Sequence, residues 1–129
     1  MKMITVLVVE DSVIQQRILG YTLRKNGYKV IQAGNGQEAL DCLATTPVDV
    51  MISDISMPQM NGLDLLKYLR QNKGHEYLPI IMLTASGQDQ DRKIAQAAGA
   101  NYFLTKPVSS TDLITTVKKV FEESENDAI

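Results

Sequence analysis

Strict alternation between short apolar runs and longer stretches of helical period constrains this chain more than any other feature. The runs Ile4 to Val9, Tyr28 to Ala33, Val48 to Ser53, Pro79 to Thr84 and Asn101 to Thr105 have the length and composition of strands. Between and after them, Ser12 to Asn26, Asn35 to Thr45, Gly62 to Asn72, Asp89 to Ala98 and Ser109 to Ser124 carry apolar residues at helical spacing, as in Leu113, Val117 and Val120. Short links between alternating strands and helices require right-handed crossovers. The pattern therefore predicts one parallel sheet covered by helices on both faces.

Val6-Leu7-Val8-Val9, Val50-Met51-Ile52 and Ile80-Ile81-Met82-Leu83 are apolar throughout, which fits central strands buried on both sides. The run holding Lys29 and Gln32 and the run from Asn101 to Thr105 are more polar and belong at the edges. The expected fold class is α/β, a doubly wound, flavodoxin-like domain of five parallel strands in the order 2-1-3-4-5. With 129 residues and 44% hydrophobic content there is material for one such core and no room for a second. Residues 1–124 are expected to form it, and 125–129 to be a short acidic C-terminal tail.

Charge and cysteine usage narrow the function classes. A formal charge of -2 does not supply the concentrated basic surface that sequence-independent nucleic-acid binding needs. The apolar run at the start is too short for a secretory signal, and no segment is long enough to cross a bilayer. One cysteine, Cys42, offers no disulfide framework and suits a reducing compartment. The expectation is a cytoplasmic protein that engages neither nucleic acid nor membrane.

In this architecture ligands bind beyond the carboxyl ends of the strands, near the point where strand order reverses. The residues there are Glu10, Asp11, Asp54, Thr84 and Lys106. Taken singly, most have a plain explanation: Asp11 or Ser12 could cap a helix, Thr84 could be a turn hydroxyl and Lys106 a solvated loop residue. Asp54 differs, because it follows a buried run where a bare carboxylate is costly unless something cationic meets it. Taken together, three carboxylates repel one another and invite a hard cation. Mg²⁺ prefers such oxygen ligands, with Mn²⁺ as a possible substitute. His75, in the polar loop Asn72-Lys73-Gly74-His75-Glu76, reads as a surface residue. An incoming phosphoryl group could then be attacked in line by Asp54, with Lys106 offsetting charge and Thr84 donating a hydrogen bond.

With these residues in order, and Asp54-Ile55-Ser56-Met57-Pro58-Gln59-Met60-Asn61-Gly62 around the central acid, the chain resembles response-regulator receiver domains of two-component signalling. The resemblance covers nearly the whole length and is strongest to chemotaxis-type regulators. It implies that Asp54 is the phosphoacceptor and that a sensor histidine kinase or a histidine phosphotransfer protein is the donor. It implies that Asp11, Asp54 and the main-chain carbonyl of Ser56 bind Mg²⁺ directly while Glu10 acts through water. Thr84 and Lys106 would hold the phosphoryl oxygens, and the Lys106–Pro107 bond would be cis. Phe103 aligns with the aromatic switch position. Its movement with Thr84 would bias the surface of helix four, strand five and helix five toward an unknown downstream protein. Such a protein is a signalling phosphoacceptor rather than an enzyme, and is expected as a monomer or weak dimer. Ser56 and Ser86 flank the site and are expected to affect phosphate lifetime, and Gly62 to open helix three or to permit an unusual backbone angle.

Three other readings stand beside this one. A metal-dependent phosphohydrolase forming a phosphoaspartate would use similar groups, but Ser56 stands where its second acid should be. Gly34-Asn35-Gly36-Gln37-Glu38-Ala39 fits a dinucleotide fingerprint, yet it follows the second strand rather than the first. The chain could also be a receiver domain cut from a multidomain regulator, although its acidic end favours a free-standing form.

Overall fold

The computed structural model describes residues 3–55, 61–72, 74–85 and 89–127, with backbone alone at 89–91 and 123–127. Its elements in chain order are β1 (Thr5–Val9), α1 (Val13–Lys25), β2 (Lys29–Ala33), α2 (Gly36–Thr45), β3 (Val50–Asp54), α3 (Gly62–Gln71), β4 (Ile80–Thr84), α4 (Asp89–Ala97), β5 (Tyr102–Thr105) and α5 (Ser110–Asp127). All neighbouring strands are parallel, in the order β2-β1-β3-β4-β5. The two polar strands lie at the edges, as their composition requires.

Alternation along the buried strands sorts the core into two layers. Leu7, Val9, Met51, Ile80 and Met82 pack against Ala39, Leu43, Leu65, Leu66, Leu69 and Ala95, so α2, α3 and α4 cover one face. Val6, Val8, Val50, Ile52, Ile81 and Leu83 pack against Leu19, Leu23, Leu113, Val117 and Val120, so α1 and α5 cover the other. Each fully buried Leu or Ile stabilises the fold by roughly 1.5–3 kcal/mol relative to exposure, which is what holds both helix layers down. Side-chain caps fix where four helices start: Ser12 accepts from the Gln15 amide, Asn35 from Glu38, Asn61 from Asp64 and Ser109 from Asp112.

Element ends differ from the apolar runs in informative ways. β3 begins at Val50 rather than Val48 and runs on to Asp54, because Asp54 pairs with Leu83 and the Ile55 amide donates to the Leu83 carbonyl at 3.1 Å. The central acid is thus the last strand residue, not the first loop residue. α5 continues to Asp127 rather than stopping near Ser124.

At the amino end of the sheet Arg70 of α3 ties two connections together, α3–β4 and α4–β5. Its guanidinium donates to the carbonyls of Gly99 (2.9 Å), His75 (3.4 Å), Glu76 (3.3 Å) and Leu78 (2.7 Å), and to Asn101 Oδ1 (2.9 Å). Asn101 Oδ1 also accepts the Ile80 amide at 2.8 Å, so one side chain sets the spacing between the starts of β4 and β5. Gly99 follows α4 with φ of 106°, the left-handed conformation that glycine adopts at helix ends.

Candidate functional site

β1, β3 and β5 deliver their charged residues to one place because all strands point the same way. Glu10 follows β1, Asp54 ends β3 and Lys106 follows β5. Lys106 Nζ lies 2.6 Å from Asp54 Oδ2 and 3.1 Å from Glu10 Oε2, bridging acids 52 and 96 residues away in sequence. Glu10 is 1% exposed and Asp54 6%, whereas Asp11 is exposed. One carboxylate oxygen from each of Glu10, Asp11 and Asp54 lies within 4.8 Å of the others.

The electrostatics follow from this crowding. Burial pushes the Glu10 carboxyl above its ordinary value, and the Asp54 charge pushes the same way. Hydrogen bonds from Lys106 and from the Ser12 amide oppose it. Burial disfavours the Lys106 ammonium, but its bonds to Asp54 and Glu10 outweigh that and hold it above the ordinary lysine value. Three oxygen donors of one sign at this separation suit a hard divalent cation such as Mg²⁺, and no sulfur or imidazole ligand is among them.

Main-chain contacts hold the pocket's frame. The Glu10 amide donates to the Ala33 carbonyl (3.0 Å) and the Lys106 amide to the Thr84 carbonyl (2.8 Å). Thr84 is 1% exposed, and its Oγ1 is a buried hydroxyl with no hydrogen-bond partner among the described residues. Such a group costs free energy until something accepts its proton or donates to it. By strand alternation Thr84 shares a face with Met82 and, across the β4–β5 register, with Phe103 and Thr105. Phe103 is half-buried and packs against the core layer under α4, and Arg92 of α4 donates to Thr105 Oγ1 at 2.9 Å.

Gly62 opens α3, as expected, but not because of an unusual backbone angle. It is absent from the positive-φ glycines, and the constraint is distance: a Cβ there would lie 1.9 Å from the Asp54 carbonyl oxygen. The Gly62 amide donates to the Ile55 carbonyl at 2.8 Å, which seats the start of α3 on the acid's own strand end. Ser12 caps α1, and the Lys106–Pro107 bond is cis. Ser56 and Ser86 lie outside the described residues. His75 is half-buried rather than exposed. It lines a cavity of about 440 Å³ with Pro47 and Val48, far from the acids at the amino end of the sheet.

Gln16 escaped the sequence reading. Its side-chain amide donates to the Glu10 carbonyl and, at 3.4 Å, to the Ala33 carbonyl. A polar residue inside an amphipathic helix carries no local mark of that role. Among the described residues, no helix is long and apolar enough to cross a membrane.

Comparison with known proteins adds an independent line. The family model described as response regulator receiver domain matches residues 6–118. The chain is 36% identical over 120 residues to the alkaline phosphatase synthesis transcriptional regulatory protein PhoP of Bacillus subtilis, covering 93% of this chain and 49% of that protein. It therefore spans about half of that regulator's length. It is 43% identical over 103 residues to a chemotaxis protein CheY homolog of Campylobacter jejuni, covering 78% of this chain and 79% of that one. Among solved structures, chemotaxis protein CheY4 of Vibrio cholerae superposes with a TM-score of 0.88 at 34% identity, covering 92% of this chain and 99% of that chain.

Proposed function

The chain belongs to the response regulator receiver domain family, and from that premise we propose that it takes a phosphoryl group onto Asp54 from a phosphohistidine donor. The observation that carries this reading is the Lys106 ammonium, 2.6 Å from Asp54 and 3.1 Å from Glu10 on strand ends that only the fold brings together. An Asp54 oxygen forms the new bond to phosphorus as the phosphorus–nitrogen bond of the donor breaks and its electron pair returns to the imidazole. Lys106 offsets charge on the phosphoryl oxygens, and the buried Thr84 hydroxyl gains the partner it lacks among the described residues. Glu10, Asp11 and Asp54, with the Ser56 carbonyl, would hold Mg²⁺, which supplies further charge neutralisation on those oxygens. Nothing among the described residues favours the phosphohydrolase alternative.

The signal would pass through the shared face of Thr84 and Phe103. If Thr84 is drawn to the phosphoryl group, the half-buried Phe103 ring has room to turn inward. The surface of α4, β5 and α5 then changes for a downstream protein. The donor's docking surface is α1, whose first turn follows Asp11 and whose outer face exposes Val13 (59%), Ile14 (67%), Ile18 (52%) and Tyr21 (67%). This is more apolar surface than a helix facing only water needs, and it borders the acid pocket.

Two experiments test the reading. Incubation with acetyl phosphate and Mg²⁺ should add one phosphoryl group by intact mass, and Asp54→Asn should add none. Labelling of the variant to the same extent would overturn the assignment. Ile18→Glu should slow transfer from a phosphohistidine protein while leaving the acetyl phosphate reaction unchanged. Equal slowing of both would remove the docking role.

A further inference from the structure

We infer that Gln16 is a positioning residue that sets the divalent-ion affinity of the acid pocket, by pinning the peptide that joins Glu10 to Asp11. The inference rests on the reading of that pocket as a metal site. The β1–β2 register ends at Val9 and Ala33, and the Glu10 amide makes one more bond to the Ala33 carbonyl. Beyond it the Glu10 carbonyl has no strand partner in that register. Gln16, one turn into α1, supplies the donor instead, and the same Nε2 reaches the Ala33 carbonyl at 3.4 Å. One planar side chain thus spans the ends of two strands.

The consequence is geometric. A peptide unit is rigid, so fixing the Glu10 carbonyl also fixes the Asp11 nitrogen and the direction in which the Asp11 chain leaves it. Asp11 is the exposed member of the acid cluster, and no strand pairing restrains it. Its carboxylate stays near those of Glu10 and Asp54 only if the preceding peptide is held.

A second glutamine holds the first. Gln32 Nε2 donates to the Gln16 main-chain carbonyl at 2.9 Å, linking the edge strand to α1 at this residue. Room for that amide comes from Gly20: a Cβ there would lie 2.6 Å from Gln32 Nε2. Glycine within a helix costs about 0.5–1 kcal/mol relative to alanine. At this buried position of α1 the glycine leaves the Gln32 amide in place, whereas a larger residue would make that flexible side chain shift.

Groups that orient metal ligands typically change affinity by roughly 10-fold or more when removed. Gln16→Met keeps the volume and loses both donors. Mg²⁺ titrated calorimetrically into the metal-free full chain should therefore bind about 10-fold more weakly in this variant. Arg70→Met, which loosens the opposite end of the sheet, should leave the Mg²⁺ affinity unchanged although it lowers stability. That separates positioning from general destabilisation. Gln32→Met, which leaves Gln16 in place, should weaken binding in the same direction by a smaller factor, and serves if Gln16→Met does not fold. Mg²⁺ affinity within twofold of the unaltered chain in Gln16→Met, or in Gln32→Met where Gln16→Met does not fold, would overturn the inference. So would an equal loss in Arg70→Met. Absence of phosphoryl uptake by the unaltered chain would instead defeat the phosphoacceptor reading, since Mg²⁺ binding is measured without it.

Discussion

Each end of the sheet holds one partly buried cation that ties distant segments together, and the two are built on opposite principles. At the carboxyl end Lys106 meets the carboxylates of Asp54 and Glu10, and its charge is favoured in spite of burial. At the amino end Arg70 donates to five neutral oxygens, and burial lowers its pKa. Neutral acceptors satisfy the guanidinium geometry but bring no charge to be rearranged, which suits a fixed joint. Carboxylates around an ammonium can exchange it for other cations or accept a phosphoryl group beside it, which suits a site of reaction. Lys106→Met is expected to have the largest effect on this contrast, slowing phosphorylation by acetyl phosphate by about 10²-fold or more while the fold persists. Its stability effect has a defined pH range. The native Lys106 pKa is raised above 10.5, so its contribution is complete below that value and is lost only as pH rises through the higher native one. Chemical denaturation should therefore show a constant gap between unaltered chain and variant from neutral pH upward, closing under strong alkali.

Arg70→Met should give the opposite result. Loss of several hydrogen bonds from a charged, partly buried group is expected to cost about 3 kcal/mol of stability in urea denaturation. The rate of phosphorylation, measured well below the unfolding transition, should not change. A shared loss of stability and rate would mean that the two ends are not independent.

Thr84→Val carries the smallest expected effect and the sharpest test of what the carboxyl end is for. Removing a buried hydroxyl that has no partner among the described residues should stabilise the metal-free protein by about 1 kcal/mol, while phosphorylation becomes slower. A residue that destabilises the resting fold and assists the reaction belongs to function. If the variant is less stable, the hydroxyl has a structural partner after all.

The same contrast separates what could be read in the sequence from what could not. Periodicity is a local property, so the five strand–helix units, the central position of β1, β3 and β4 and the polar edges were all legible before any contact was known. The approach of Glu10, Asp11, Asp54 and Lys106 was legible too, because a parallel sheet puts every strand's carboxyl end on one side. Arg70 and Gln16 were not. Each sits on a helix where a polar residue reads as solvated, and each takes its role from main-chain carbonyls outside its own helix. Gly62 was noticed for a conformational reason, whereas its actual constraint, the Asp54 carbonyl, is a non-local distance. Strand ends shifted by a residue or two for the same cause, since the ladder ends where a partner ends and not where hydrophobicity does.

The bridge made by Lys106 also sets a charge parity. Three acids and one ammonium leave the pocket formally two negative charges in excess, the amount that a single divalent ion cancels. A monovalent ion would leave that balance short, and a trivalent one would overshoot it. An amide in place of any one acid would lower the excess by one.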